Sequence, residues 1–215
     1  MPIEKEAHLQ KLKLGWNSGL ANYSLHGPFV SKIFNRVPLS GLLKFPKPTR
    51  SANEKRLTSI SCRFGTFYER DTVSFQRRKI AEIMATKISA ALKLKRSNYF
   101  KELSNSRLII SPFGWGEINY KDYEVFLTGG ALFKPKMVHM ETWPNFFIDN
   151  ETILTFDWDL LNFQEKLEQF ISQPELCTEI GQQGQDTYAR YTSSAEAGVL
   201  FLRHFQGIIN QALAV

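Results

Sequence analysis

From residue 57 onward the apolar positions of this chain follow two alternating rhythms. Short compact runs stand at LTSISC (57–62), RLIIS (107–111), GALFK (130–134) and TILTF (152–156). Their length and apolar content predict strands, with RLIIS of the compact kind buried on both faces. Between them, apolar residues recur at helical spacing. Ile80, Ile83, Met84, Ile88, Ala91 and Leu92 define one helix, with Asp71 or Thr72 as its expected cap. Tyr99, Phe100 and Leu103 share a face in a short helix near 98–105. A helix over 119–128 buries Tyr120, Tyr123, Leu127 and Val125. Leu160, Phe163, Leu167, Phe170 and Ile171 form an amphipathic helix. Pro174 suits the first turn of the next, and Ser193 or Ser194 caps a last helix running to about Ala212. Strands alternating with helices predict an α/β fold, a Rossmann-like, mostly parallel sheet with helices on both faces.

Ahead of this region the pattern is weaker. Residues 11–23 read as a short strand entering a Gly/Asn loop, and 28–43 are mildly apolar without clean periodicity. Residues 44–56, KFPKPTRSANEKR, are basic, contain two prolines and read as a linker or long surface loop. The expected organisation is therefore an N-terminal extension and basic linker over 1–56, then one domain over 57–215.

Composition narrows the class. Of 215 residues 43% are apolar, enough for a sizeable core and against general disorder. No window approaches a membrane-spanning run, and the charged start MPIEKEAHLQKLK lacks the apolar stretch of a signal peptide. Cys62 and Cys177 lie far apart, which points to reduced thiols and a cytoplasmic location rather than a zinc site. Residues 1–107 carry 21 Lys/Arg against 7 Asp/Glu, whereas 108–215 carry 6 against 14. A basic half beside an acidic half points either to an anionic partner or to two halves that attract each other.

The stretch with most chemical content is SPFGWGEINYKDYEVFLTGGALFKP, 111–135. A buried strand ends at Ser111, Gly114 and Gly116 loosen the turn, and a helix is expected to start close to Glu117. In open α/β sheets ligands bind beyond the carboxyl ends of strands. A helix N-terminus offers free N–H groups to phosphate. Glu117, Lys121 and Glu124 fall on one side of that helix: a carboxylate there accepts from ribose hydroxyls, while Lys121 or backbone amides hold phosphate. The structural alternative is an ordinary strand–loop–helix joint, with Glu117 and Lys121 as a surface ion pair.

SPFGWGEINYKDYEVFLTGGALFKPKMVHMETWPN, 111–145, resembles a segment of bacterial glycosyltransferases of the GT-B type, in the group described as family 1, exostosin-like or spore-coat glycosyltransferase-like. ISCRFGTFYERDTVSFQRR (60–78) and LGWNSGLANY (14–23) resemble the same group less specifically. The resemblance implies a donor-binding lobe for a nucleotide-sugar, transferring the sugar to an acceptor hydroxyl without a bound metal or other cofactor. By position it assigns ribose binding to Glu124, phosphate contacts to the backbone around Gly116, Glu117 and Ile118, and a basic contact to Arg63. Lys121 stands where the group has Arg, which keeps the charge but loses the planar fork. Glu117 and Glu124 are one residue closer than the paired glutamates of many GT-B enzymes, and Val125 replaces the usual Ala. A complete GT-B enzyme has two lobes and needs roughly twice this length. The acceptor lobe is thus expected to be absent or reduced, leaving the catalytic base unassigned and making a separate acceptor lobe or subunit a possible partner.

His139 and Glu141 lie just past the Lys134–Pro135 strand end, at the expected ligand edge, and are further candidates for donor contact. Trp115 and Trp143 flank the same edge as stacking or core residues. Asp157-Trp158-Asp159 has the DxD form that holds a metal in the other major glycosyltransferase fold, but Asp159 is better placed as a helix cap. His8, His26, His139 and His204 show no metal-ligand spacing. Two other functions stay open: a non-catalytic nucleotide-sugar-binding or interaction module, and a nucleic-acid-binding protein using Arg77-Arg78-Lys79 and Lys93–Arg96 with Tyr99 and Phe100.

Overall fold

The computed structural model describes residues 47–85 and 94–213, together with Leu14, Phe29, Lys32, Ile33 and Arg36. Its centre is a four-stranded, wholly parallel sheet in the order β1 (Thr58–Ser61), β2 (Ser106–Ile110), β3 (Ala131–Pro135), β4 (Leu154–Phe156). Ile60 stands opposite Leu108, Ile109 opposite Leu132, and Phe133 opposite Leu154. RLIIS is thus an interior strand, as its unbroken apolar run requires. Among the described residues five helices flank the sheet, α1 (Asp71–Met84), α2 (Arg96–Asn105), α3 (Tyr120–Thr128), α4 (Phe163–Ile171) and α5 (Pro174–Thr192), and α6 (Ala197–Leu213) packs on α5.

Alternation along the strands builds two cores. Leu108, Ile110, Ala131, Phe133, Leu154 and Phe156 face one side, where Ile80 and Met84 of α1 and Phe163, Leu167 and Phe170 of α4 cover them. Ile109 and Leu132 face the other, under Leu103 of α2 and Tyr123 and Phe126 of α3. Helix α5 serves both: Cys177 and Ile180 enter the first core and Tyr188 the second. This is the α/β, Rossmann-like architecture expected, with helices on both faces. Ile88, Ala91 and Leu92 lie outside the described residues. No described helix is long and apolar enough to cross a membrane.

Local differences have identifiable causes. Asp71 is the first residue of α1 rather than its cap; Arg70 holds the cap position and makes no capping bond. Leu160 precedes α4, in a left-handed conformation at φ 68°, yet still packs on the first core. Of residues 44–56, read above as linker, 44–46 lie outside the described residues, and the rest is largely exposed but held to the domain at particular residues. Thr49 N–H donates to the Leu127 carbonyl at 2.9 Å, and Ala52 is buried. The buried Arg56 guanidinium donates to the carbonyls of Ser104, Ser106 and Thr128 at 2.8, 3.1 and 2.6 Å. These carbonyls lie where α2 and α3 end. The basic composition of that stretch partly reflects arginine serving as a C-terminal cap with several donors.

Candidate functional site

The carboxyl ends of β1, β2 and β3 meet on one edge of the sheet. The loop after β2, residues 111–119, crosses above them and enters α3. Its anchor is a buried polar cluster. The Ser111 hydroxyl donates to Asp122 Oδ1 at 2.6 Å, and Lys134 Nζ donates to Asp122 Oδ2 at 2.6 Å. Lys134 also reaches the Glu117 carbonyl at 2.7 Å. Asn119 and Asp122 form a reciprocal capping box, with Asn119 N–H donating to Asp122 Oδ2 at 2.9 Å. Helix α3 therefore starts at Tyr120, within one residue of the expected span 119–128, and not close to Glu117. Glu117 lies in the loop, so it does not form an i,i+4 pair with Lys121.

Lys121 turns inward. Its Nζ donates to the carbonyls of Arg63 and Ile110 at 2.9 and 2.6 Å, tying the ends of β1 and β2 together. The residue is only half-buried, but its ammonium is enclosed, and burial lowers its pKa to about 8 against the attraction of Cys62 and Asp122. Arg77, on α1, is buried under the same loop. Its guanidinium donates to the Phe113 carbonyl, to Gly65 O at 3.2 Å and to the Tyr68 hydroxyl at 3.0 Å. Both cations donate to carbonyl and hydroxyl oxygens, while Asp122 attracts both and Glu124 attracts Lys121. Arg63 differs: its Nε and Nη2 lie 3.0 Å from Glu102, which also accepts from the Ser61 hydroxyl at 2.7 Å.

A cavity of about 240 Å3 opens between these groups, lined by Arg63, Phe64, Arg77, Tyr99, Asn119 and Lys121, with Ser111 and Pro112 beneath. In the loop beyond it, the backbone N–H groups of Gly116, Glu117 and Ile118 donate to no acceptor among the described residues, and Gly116 and Ile118 line the adjoining cleft that shares Arg77 and Asn119 with this cavity. Beside it, on α3, Glu124 Oε2 accepts from the Tyr99 hydroxyl at 2.9 Å. Burial raises the Glu124 pKa, with the Tyr99 bond opposing, and raises that of Tyr99 as well. The arrangement offers donors to an anion and a half-buried carboxylate to hydroxyl groups.

Of the residues singled out from sequence, Arg63, Gly114, Gly116, Glu117, Ile118, Lys121 and Glu124 are brought to this edge. His139 joins them, with Nε2 3.6 Å from Glu117 Oε1 and its ring 6.0 Å from Phe113. Glu141 does not: it lines a separate cavity with Trp143, Arg203 and His204. Trp143 lies flat on His204, ring centroids 3.7 Å apart and planes 4° apart. In the DxD triplet Asp157 pairs with Lys136 at 2.6 Å and accepts from Asn162 at 2.7 Å. Asp159 accepts from Leu161 N–H at 3.0 Å, and Asn162, not Asp159, holds the cap position of α4. The run Arg77-Arg78-Lys79 is not a continuous basic face. Arg77 is buried, while Arg78 and Lys79 pair with Asp71 and Glu82. Lys93 lies outside the described residues, and Arg96 covers the Phe100 ring at 5.2 Å.

Arg77, Asn119, Asp122 and Lys134 were not singled out as site residues, although two signals were present. Asn119 three residues before Asp122 is a capping-box spacing. A lysine ending the apolar run GALFK predicts a buried partner for its charge.

The chain matches no established family profile, and no curated protein sequence matches it. It is similar to the crystal structure of TarM, with a TM-score of 0.48 and 12% identity, covering 77% of this chain and 38% of that one. It is also similar to the C-terminal domain of a glycosyl transferase group 1 family protein (LpcC) from Francisella tularensis. There the TM-score is 0.40 and the identity 16%, over 59% of this chain and 67% of that one. Likenesses of this strength carry no functional inference.

Proposed function

We propose that this chain is a glycosyltransferase of GT-B type, or its donor-binding lobe, and that the edge above β1–β3 binds the nucleoside diphosphate of a nucleotide-sugar. The observation that carries this reading is the cavity lined by Arg77, Lys121 and Asn119 at the strand ends, next to a loop whose Gly116, Glu117 and Ile118 amides donate to no described acceptor. Oriented N–H groups beside cations whose hydrogen bonds go to neutral oxygens suit a diphosphate. Glu124, held by Tyr99 through one oxygen, keeps the other for ribose hydroxyls. Arg63 and His139 flank the phosphate side. Glu141 belongs to this site only if its loop moves. The sugar goes to an acceptor hydroxyl, and no metal or other cofactor is required.

The test is calorimetric titration of the full chain with UDP, ADP, GDP and their 2′-deoxy forms. One of the ribonucleotides binds, and Glu124→Gln weakens it by roughly ten- to a hundred-fold, about 1.5–3 kcal/mol for a charged hydrogen bond. The deoxy form shows a smaller difference between wild type and variant. Failure of all three to bind at millimolar concentration ends the reading. Equal affinities across wild type, variant, ribo and deoxy forms remove Glu124 from the site.

A further inference from the structure

Next to the nucleotide cavity, and sharing Arg77 and Asn119 with it, lies a larger cleft of about 420 Å3. Its walls are aromatic: Tyr68, Trp115, Tyr120 and Tyr123. Two of these are displayed to solvent, Trp115 at 68% and Tyr120 at 76% exposure. Isolated exposed aromatics are common, but two on the rim of one cleft with a third standing beside them are not explained by packing.

Trp115 is held in place rather than free. The Gly114 N–H donates to the Gly116 carbonyl at 3.0 Å, closing a turn with Trp115 at its apex. The Arg70 guanidinium covers the indole at 5.4 Å. Tyr68 stands edge-on to it, centroids 6.3 Å apart and planes at 79°. The Tyr68 hydroxyl accepts from Arg77 at 3.0 Å, and its own proton has no acceptor among the described residues. The cleft is therefore a right-angled corner, with an exposed indole as one wall and a hydroxyl donor on the other.

That shape selects among ligands. A planar base is gripped by parallel rings, or stacks on one ring with its edge read in plane. A pyranose ring has an apolar face of axial C–H groups and a rim of equatorial hydroxyls. It seats on one aromatic face and donates and accepts at a perpendicular wall. We infer that the Trp115–Tyr120–Tyr68 cleft binds a hexopyranose ring, with its C–H face on Trp115 and its hydroxyls at Tyr68. Its volume falls in the range of ligand pockets, about 300–1,000 Å3. This deepens the nucleotide-sugar reading and rests on it for biological meaning. Two sources supply such a ring: the sugar of the nucleotide-sugar, or a glycan acceptor.

The experiment separates these sources and separates this inference from the reading beneath it. The wild-type chain, Trp115→Ala, Tyr120→Ala and Trp115→Phe are each titrated with UDP, ADP and GDP, with their glucose and N-acetylglucosamine conjugates, and with maltotriose and chitotriose. Saturation-transfer NMR supplies the oligosaccharide contacts. Circular dichroism checks each fold, which these exposed positions leave intact. Trp115→Ala is expected to weaken sugar-bearing ligands at least ten-fold, while bare nucleoside diphosphate moves less than two-fold. Trp115→Phe recovers part of the loss, and Tyr120→Ala weakens the same ligands several-fold. A loss confined to the conjugates makes the donor sugar the occupant; a loss confined to the trisaccharides makes it the acceptor. Equal weakening of bare nucleotide and conjugate overturns the inference in favour of a base-stacking tryptophan. No effect of either alanine variant on any sugar-bearing ligand also overturns it, even if bare nucleotide binds. If no nucleotide binds but a trisaccharide binds through Trp115, the nucleotide reading fails and the carbohydrate cleft stands.

Discussion

Lys134 and Asp122 form a fully buried ion pair, Nζ to Oδ2 2.6 Å, directly beneath the loop that carries the unpaired amides. Every group in the cluster has a partner: Asp122 also accepts from Ser111 and from the Asn119 amide, and Lys134 also donates to Glu117 O. Burial lowers the Lys134 pKa while Asp122 opposes the shift. Lys134→Met leaves the Asp122 charge buried without its cation and should cost about 3–5 kcal/mol. Urea denaturation measures this loss. A double variant Asp122→Leu with Lys134→Met should recover much of the stability but not nucleotide affinity, because the loop loses its anchor.

Lys121 gives the pH dependence a definite sign. Its folded pKa of about 8 lies below the ordinary value of 10.5, so between those limits the unfolded chain holds more protons than the folded one. Stability from this group therefore rises with pH through that window, by up to roughly 1.4 kcal/mol per pH unit. Comparing urea midpoints of wild type and Lys121→Met from pH 7 to 10.5 should show wild type gaining on the variant. A parallel pair of curves means that the ammonium is not desolvated in the folded protein.

Glu124 should separate stability from binding. Burial raises its folded pKa above 4.5, so the folded chain binds the extra proton and stability from this group falls as pH rises through that range. Glu124→Gln keeps an acceptor for Tyr99 and removes the buried charge. At pH 7 the variant should be as stable as wild type or more so, while binding nucleotide less well. Thermal melts beside the titrations test this trade-off.

Three glycines should behave differently. A Cβ on Gly181 would sit 2.6 Å from the Gly129 carbonyl, where α5 passes the turn between α3 and β3, so Gly181→Ala should cost about 1–3 kcal/mol. A Cβ on Gly114 would meet Asn119 Oδ1 at 2.7 Å and Arg77 Nη2 at 2.9 Å, disturbing the loop anchor. A Cβ on Gly116 meets nothing within 4 Å. Gly116→Ala should leave the melting temperature almost unchanged and still weaken nucleotide binding if phosphate approaches the backbone there.

Asp157 is already engaged by Lys136 and Asn162. Nucleotide affinity should therefore be unaffected by a chelator. A loss of binding restored by Mn2+ or Mg2+ would return the DxD triplet to the site.

The chain's own pattern determined the architecture. RLIIS and GALFK are too short for helices and too apolar for exposed strands, and the spacings around Ile80, Tyr123 and Phe163 admit only helices packed on a sheet. A Rossmann-like parallel sheet follows from those local constraints, as does the placing of Gly114 and Gly116 at a strand end. Side-chain direction was decided only by the tertiary structure. In sequence Lys121 looks like a surface partner of Glu117, and Arg77 like part of a basic run. Both turn inward because the ends of β1 and β2 and the crossing loop present unpaired carbonyls, which a buried cation satisfies and a linear reading does not display. Residues 49–56 look like linker until the carbonyl ends of α2 and α3 arrive beside Arg56. Spacing along a chain sets periodicity, whereas the partner of a charged group is set by which elements the fold brings within 3 Å of it.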